Sequence, residues 1–336
     1  MTGTVTISIE VELGWGLAHW GKLDKLSDGR REETRYLSYL LERCDDHDVP
    51  ITFDVVGHLF HDSCDGHHDG PHEDGWWDVD PGTSVEADPE FYAPDVVEAI
   101  RAHRTDHELC THTYSHVECN EVDPAVVEWE LDRARRVHER HGVATSESIV
   151  PPRHSVPPSD VLADGGIRVK RVPHYRADGE QRPPTRVRKL YEILFETHPT
   201  IEPRETDDIL ETYSTEYTSF AVPYLQIGTY SPHPVYRALP LAARRRLHLW
   251  NLRRGVDAAA DGSSVHFWCH LYDLANDQQW PQIDAFLGYL AKRRDAGDVE
   301  IRTMRELQSA GESIDQAGAS EPVEREEQTP VTIISD

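Results

Sequence analysis

Apolar runs of two kinds alternate along most of this chain. Thr4–Ile9 is rich in β-branched residues and predicts a buried strand, and residues 31–47 place apolar side chains at helical spacing before a second predicted strand at 51–57. The further predicted elements are a helix from Pro94, a strand end at Leu109–Cys110, a helix over 125–141, short strands at 148–150 and 167–169, helices from Leu239 to Val256 and over 280–294, and strands at 265–270 and 299–301. This alternation predicts an α/β fold, either a parallel barrel or a doubly wound sheet.

Two segments interrupt the alternation. Residues 58–93 mix five histidines with Cys64 and Trp76–Trp77 but have no period, which predicts a long loop inserted on the active face. These histidines could hold a second metal ion, but their irregular spacing favours a hydrated loop. The two tryptophans either stack on a sugar ring or pack the loop onto the domain. Between residues 174 and 237 we predict one or two strands, with one around Tyr224–Thr229.

The composition limits the partners of the protein. The chain has 336 residues and a formal net charge of −27, from 61 acidic and 34 basic residues. Such a surface repels nucleic acid and anionic membranes through its net field. We interpret the acid-rich, lysine-poor composition as an adaptation to a high-salt cytoplasm, and a specific acidic face is the alternative. Residues 309–336 are acidic and polar without a period, which predicts a disordered tail after a domain over residues 1–308.

The sequence also bears on localisation. It contains no run of about 18 apolar residues, so no membrane-spanning helix is expected. Its N-terminus enters a strand directly, without the basic and apolar segments of a signal peptide. The five cysteines are odd in number and form no Cys-x-x-Cys pair, which favours a reducing compartment. We therefore expect a cytoplasmic protein.

Two pairs of polar residues at predicted strand ends are candidates for chemistry. His112 and His116 are four residues apart directly after Leu109–Cys110, and a helical turn or a tight loop can aim both rings at one divalent cation. The alternative is two surface histidines, since the chain has 20 of them. Glu10 and Glu12 follow the first predicted strand, and alternation places both carboxylates on one side of its carboxyl end. A solvated acidic turn is the alternative there.

Four motifs in this order resemble the polysaccharide deacetylases, the family of the chitin-deacetylase-like carbohydrate esterases. They are Glu10-Val11-Glu12 after a strand, Thr111-His112-Thr113-Tyr114-Ser115-His116, Pro151-Pro152-Arg153 and Phe267-Trp268-Cys269-His270. The resemblance spans residues 4–307. It implies a distorted (β/α) barrel of about seven parallel strands, with 58–93 as an inserted loop and 309–336 as a disordered tail.

The resemblance also implies a role for each matched residue. Glu12, His112 and His116 match the metal ligands, Glu10 the catalytic base, Arg153 the arginine that orients this base, and His270 the general acid. Zn²⁺ suits two histidines and one carboxylate, and such a site also accepts Co²⁺ or Mn²⁺. Asp273 is a candidate to hold the other ring nitrogen of His270. The family usually has aspartate at both acid positions, so Glu10 and Glu12 each add one methylene.

The resemblance implies a metal-dependent hydrolase that removes an N-acetyl group from an amino sugar. Without an export signal, the expected substrate is an intracellular glycan or glycan precursor. One alternative is a deformylase or another linear-amide hydrolase on the same scaffold, and the other is a non-catalytic carbohydrate-binding homologue. The predicted helix over 239–256 carries an arginine cluster that either is a solvated face, which we prefer, or binds the phosphate of a lipid- or nucleotide-linked sugar. The cluster consists of Arg244, Arg245, Arg246, Arg253 and Arg254.

Overall fold

A closed parallel sheet forms the centre of the molecule. The computed structural model describes residues 2–143, 146–174, 190–191, 193–195 and 198–308, so the predicted tail at 309–336 lies outside the described residues. In chain order the strands are β1 (Gly3–Val11), β2 (Thr52–Val55), β3 (Glu108–Thr111), β4 (Ser148–Ile149), β5 (Val169–Pro173), β6 (Arg204–Thr206), β7 (Ile209–Ser214), β8 (Ser264–His270) and β9 (Val299–Ile301). Strands β1, β2, β3, β4, β5, β7 and β8 pair in this order, and β8 pairs with β1, which closes a barrel of seven parallel strands. The predicted (β/α) barrel is therefore confirmed.

Helices surround this barrel. In chain order they are α1 (Leu13–Ala18), α2 (Arg31–His47), α3 (Pro94–Ala102), α4 (Pro124–Arg140), α5 (Ser159–Asp164), α6 (Pro234–Arg237), α7 (Leu241–Ala259) and α8 (Trp280–Asp295). Asp123 caps α4, since its carboxylate accepts a hydrogen bond from the backbone N–H of Ala125 at 2.9 Å and Pro124 occupies the first turn. Within the described parts of the chain, none of the helices combines the length and the apolar character needed to cross a membrane.

The first strand shows why polar groups collect inside the barrel. Its apolar positions are fully buried in the main hydrophobic core; they are Val5, Ile7, Ile9 and Val11. The alternate position Ser8 accepts a hydrogen bond from Arg171 of β5 at 2.8 Å, and its hydroxyl lies 2.9 Å from Nε2 of His266 on β8. Because β5 is not a neighbour of β1 in the sheet, the contact with Arg171 crosses the barrel interior. The two-residue period of the strand then carries Glu10 to the same interior, nearer the carboxyl end.

The prediction of a strand around Tyr224–Thr229 is wrong. That stretch forms turns with an isolated bridge between Ile227 and Tyr230, and the barrel strand of this region is β7. Tyr224 is buried in a small cluster against α6 and α7, so its apolar character reflects packing rather than strand formation. The sequence did not reveal β7 because Glu211 interrupts its apolar pattern; this carboxylate pairs with Lys170 of β5 at 3.1 Å.

The arginines of α7 are not all solvated. Arg244 is buried and donates hydrogen bonds to the carbonyl oxygens of Tyr224 at 2.7 Å and Leu239 at 3.2 Å. Arg245 donates to the carbonyl oxygen of Asp277 at 2.8 Å. The preferred interpretation of a solvated arginine face is therefore wrong for Arg244, because this side chain satisfies backbone carbonyls at the start of the helix.

Residues 61–93, called here the inserted segment, follow the 3-10 turn Gly57–Phe60 and precede α3. The segment contains the 3-10 turn Trp76–Val79 and an isolated antiparallel bridge, and the rest of its backbone is irregular. The ring of Trp77 lies 3.9 Å from that of His68 and 6.2 Å from that of Trp15 on α1, measured between centroids. Of the two alternatives considered for the tryptophans, Trp77 thus serves to pack the segment onto the barrel.

Candidate active site

Two carboxylates meet at the carboxyl end of β1. Glu10 is paired in register with Asp54 of β2 and with His270 of β8, and Glu12 follows the strand at the start of α1. Both glutamates are 4% exposed. Nε2 of His270 lies 3.4 Å from Glu10 and 3.9 Å from Glu12, so the structure brings the two glutamates and the late histidine to one point.

The histidine pair lies on the tight loop that follows β3. His112 follows the strand directly, and His116 has a left-handed backbone with φ of 66°. The buried carboxylate of Glu130 on α4 accepts hydrogen bonds from the backbone N–H groups of Tyr114 and Ser115, each at 2.7 Å. Of the two geometries considered for the pair, the structure thus has the loop. Because Glu130 satisfies the backbone of this loop, the fold positions both imidazoles without a bound ligand.

Glu12, His112 and His116 offer three donor atoms to a single cation. Oε2 of Glu12 lies 2.8 Å from Nε2 of His116 and 3.8 Å from Nε2 of His112. Within the described residues, neither Nε2 atom makes a well-aligned hydrogen bond, although both are buried. His112 directs Nδ1 to the carbonyl oxygen of Val150 at 2.7 Å, which leaves its Nε2 free to act as a ligand. Two buried imidazole nitrogens that make no well-aligned hydrogen bond, beside one carboxylate, fit a divalent cation.

Arg171, which lies on β5, is the arginine beside Glu10. Its side chain is 1% exposed and donates hydrogen bonds to the carboxylate of Glu10 and to Ser8 Oγ. Its guanidinium carbon also lies 4.5 Å from the centre of the Trp268 ring. Sequence reasoning missed Arg171 because no motif surrounds it. The available signal was two adjacent charged residues, Lys170 and Arg171, within a short buried strand, where charges are rare unless they are paired.

Arg153 lies elsewhere, on the wall of a cavity. One of its amino groups is 2.5 Å from the carboxylate of Glu118, and its guanidinium carbon is 3.6 Å from the centre of the Trp20 ring. The expectation that Arg153 orients Glu10 is therefore not met. Its backbone is left-handed, with φ of 52°, in the 3-10 turn Pro152–His154, and its side chain pairs at the cavity instead of inside the barrel.

His270 is held by Asp273, as considered from the sequence. The Asp273 carboxylate lies 2.9 Å from Nδ1 of His270 and also accepts the backbone N–H of His270 at 3.1 Å. Burial alone lowers the pKa of His270, but the carboxylates of Asp273, Glu12 and Glu10 outweigh this effect and raise the pKa to about 10. His270 is therefore protonated at neutral pH, with Nε2 facing the two glutamates.

The pKa values of two buried carboxyl groups move in opposite directions. Burial raises the pKa of Glu10, but the charges of Arg171, His270 and His112 outweigh it and lower the pKa to about 2. Asp54 is fully buried, and within the described residues neither of its oxygens has a hydrogen-bond partner. Burial raises the pKa of Asp54 to about 7. Glu10 is thus ionised at neutral pH and able to accept a proton, whereas Asp54 is partly protonated.

A cavity of about 610 Å³ opens beside His116. Trp20, Trp76, Glu118 and Arg153 contribute to its lining. Trp76 belongs to the inserted segment, and its indole N–H donates to the hydroxyl of a serine in the histidine loop at 2.9 Å. The volume and the mixture of aromatic and charged groups suit a small polar ligand such as a sugar ring.

Several solved structures share this barrel. A protein from Mycobacterium smegmatis described as a polysaccharide deacetylase superposes with a TM-score of 0.57 at 16% identity, over 99% of this chain and 94% of that one. A protein from Pseudomonas aeruginosa PAO1 described in the same way gives 0.52 at 11% identity, over 90% and 89%. Puue allantoinase gives 0.53 at 12% identity, over 92% and 90%. Identities this low show a common fold alone, and no curated protein matches the chain in sequence.

The family model for polysaccharide deacetylases matches residues 27–163. The matched segment includes His112, His116 and Arg153 and ends before Arg171 and His270. The resemblance inferred from the sequence motifs is therefore confirmed over this segment of the chain.

Proposed function

We propose that the protein is a metal-dependent hydrolase that removes an N-acetyl group from an amino sugar of a glycan or glycan precursor. The match to the family model supports carbohydrate deacetylation in general terms. The observation that carries the finer proposal is the convergence of Glu10, Glu12, His112, His116 and His270 at the carboxyl end of one barrel, beside a cavity.

The metal ligands in this proposal are Glu12, His112 and His116. A divalent cation held there, most suitably Zn²⁺ with Co²⁺ or Mn²⁺ as alternatives, would supply Lewis acidity that activates a water and polarises the acyl carbonyl. The fold supports this ligand set because Glu130 holds the histidine loop and Val150 orients the ring of His112.

Glu10 is the proposed general base. It accepts a proton from the attacking water, and its lowered pKa keeps it ionised for this purpose at neutral pH. Arg171 is a positioning residue, because its buried guanidinium orients the carboxylate of Glu10 and compensates its charge inside the barrel. This assigns to Arg171 the role that the sequence motif gave to Arg153.

His270 is the proposed general acid. An amine is a poor leaving group unless it is protonated as the carbon–nitrogen bond breaks. The raised pKa of His270 keeps the ring protonated at neutral pH, so Nε2 can give its proton to the departing nitrogen. Asp273 fixes the ring through Nδ1 and stabilises the imidazolium.

Hydrolysis by the metal-loaded protein tests this proposal. N-acetyl and N-formyl amino sugars are offered in parallel, and the mass of the product shows which acyl group leaves. We expect release of acetate, and a fall in kcat/KM of roughly 10²-fold or more in Glu10→Gln. Glu118→Gln is the matched control, since Glu118 lines the same cavity but pairs with Arg153.

Each other outcome has a definite meaning. Release of formate alone identifies a deformylase on the same scaffold. Glycan binding without turnover identifies a carbohydrate-binding protein. Full activity of Glu10→Gln shows that another group is the base.

A further inference from the structure

We propose that His58, Cys64, His68 and Asp80 form a second metal site, a structural Zn²⁺ site that fastens the inserted segment to the barrel. The site shares no residue with the cluster of Glu12, His112 and His116 and does not depend on the proposed hydrolase activity. The irregular histidine spacing favoured a hydrated loop over a second metal site, but these four residues converge in space although not in sequence.

The four donor atoms already surround one point. Nε2 of His58 lies 3.3 Å from Oδ2 of Asp80, Nε2 of His68 lies 2.6 Å from the same oxygen, and Sγ of Cys64 lies 3.6 Å from Nε2 of His68. All four atoms are within 4.8 Å of one another. A tetrahedral Zn²⁺ site with bonds of about 2.0–2.3 Å holds its donors about 3.3–3.8 Å apart. Only small shifts are therefore needed for these side chains to coordinate one ion.

The burial of these groups points to a ligand. The His58 side chain is 0% exposed, and within the described residues its Nε2 has no well-aligned hydrogen bond, although it faces the cluster. The side chains of His68 and Asp80 are 2% and 0% exposed. An imidazole nitrogen buried without a well-aligned hydrogen bond costs free energy that coordination would recover.

The surroundings of Asp80 and Cys64 orient their donor atoms toward the cluster. Oδ1 of Asp80 accepts hydrogen bonds from the hydroxyl of Tyr92 at 2.7 Å and the backbone N–H of Gly82 at 3.1 Å, which leaves Oδ2 to face the two histidines. The backbone N–H of Gly66 lies 3.4 Å from Sγ of Cys64 and stabilises a thiolate. Such outer contacts are typical of metal ligands.

The donor set identifies the ion and its role. One thiolate, two imidazoles and one carboxylate are ligands that Zn²⁺ accepts in tetrahedral geometry. Four protein ligands complete that geometry and leave no open position for a substrate, which is characteristic of a structural site. The ion would join the end of the barrel, at His58, to two distant parts of an irregular segment, and such closure limits the freedom of the chain.

Metal counting on the full chain tests the proposal. We expect about two zinc equivalents per wild-type chain and about one in Cys64→Ser and in Glu12→Ala. His67→Gln is the matched control and should keep both equivalents, because His67 belongs to the same segment but its side chain is exposed. If only the proposed catalytic site fails to bind, the wild type and Glu12→Ala retain one equivalent and Cys64→Ser retains none.

Cobalt substitution of the wild-type protein gives a readout that does not require a variant to fold. A cobalt ion bound by Cys64 should show thiolate-to-cobalt charge-transfer absorption and the strong visible bands of tetrahedral Co²⁺. The other cysteines are not members of either donor set. A cobalt-loaded wild type without the thiolate band, or a Cys64→Ser variant with unchanged metal content, would overturn the proposal.

Discussion

The described part of the chain contains two clusters of histidines and carboxylates that are built in different ways. The barrel cluster, Glu10, Glu12, His112, His116 and His270, lies at the ends of three strands and on a loop held by Glu130. The loop cluster, His58, Cys64, His68 and Asp80, lies on irregular backbone and short 3-10 turns. The sheet positions the donors of the barrel cluster. The donors of the loop cluster are positioned mostly by contacts between side chains.

This difference matches a catalytic role for the barrel cluster and a structural role for the loop cluster. Donors positioned by a sheet keep their geometry when no ligand is bound. A catalytic site needs this property, because substrate and product enter and leave it in every turnover. An ion bound by donors on irregular backbone joins distant parts of the segment, so it contributes mainly to the order of the segment. The two regions meet at the cavity, because Trp76 of the inserted segment and His116 of the barrel cluster both line it.

The largest expected effect concerns Arg171. We expect Arg171→Met to lower kcat/KM by roughly 10²-fold and the free energy of unfolding by about 3–5 kcal/mol, because it removes the guanidinium that pairs with the buried carboxylate of Glu10. Loss of the guanidinium also raises the pKa of Glu10, so the acid limb of the pH–rate profile should move to higher pH. Steady-state kinetics across pH and urea unfolding measure these effects.

Arg153→Met provides the comparison for this prediction. Arg153 is an arginine at the cavity wall whose partner is Glu118, so we expect the acid limb and the stability to change little. Arg171→Lys should restore part of the stability and return the acid limb toward its original position. An unmoved acid limb in Arg171→Met would show that the barrel cluster does not depend on this contact.

The sequence was sufficient for the parts of the barrel cluster that depend on local pattern. The strand before Glu10 and the four-residue spacing of His112 and His116 are features of short segments. The alternation of strands and helices predicts an α/β fold around them, and the family resemblance implies that this fold is a barrel. The contact between Arg171 and Glu10 joins residues 161 positions apart across the barrel interior. Such a pairing depends on the closure and register of the whole sheet, which no local pattern encodes.

The loop cluster was beyond sequence reasoning for a related reason. Cys64 and His68 are four residues apart, but His58 and Asp80 join them only through the path of an irregular segment. Irregular backbone has no repeating pattern in the sequence from which the orientation of its side chains can be predicted. The barrel strand β7 could not be predicted because Glu211 interrupts its apolar pattern. In the structure this carboxylate is neutralised by an ion pair with Lys170.

Limited proteolysis tests whether the loop cluster, and not the barrel cluster, orders the inserted segment. We expect His68→Gln to increase cleavage within residues 61–93 about 30-fold, if the ion contributes about 2 kcal/mol to the order of the segment. His116→Gln should abolish hydrolysis without this increase, because Glu130 still holds the histidine loop. Cleavage sites and rates, measured by mass spectrometry with a limiting protease, give the answer. Equal protection in both variants would mean that the inserted segment is ordered without the loop cluster.

The pH dependence of activity sharpens the assignment of the general acid. The carboxylate of Asp273 raises the pKa of His270, which keeps the acid protonated at neutral pH, and activity falls as the pH rises through the pKa of this group. Asp273→Asn removes the largest of the charges that raise the pKa, so the alkaline limb should move down by at least about one pH unit. At alkaline pH this amounts to roughly a tenfold loss of kcat/KM. An alkaline limb that stays in place would exclude His270 as the titrating acid.

The smallest expected effect concerns the cavity wall. Trp20 is 61% exposed and presents its ring beside Arg153 at the cavity, where an aromatic face can pack against the apolar face of a sugar. We expect Trp20→Ala to raise KM about fivefold, equivalent to about 1 kcal/mol of binding, with little change in kcat. Trp250→Ala is the matched control, since Trp250 is 46% exposed on α7 and does not line the cavity. If both variants keep the wild-type KM, the sugar contacts other groups, and the exposure of Trp20 has no role in substrate binding.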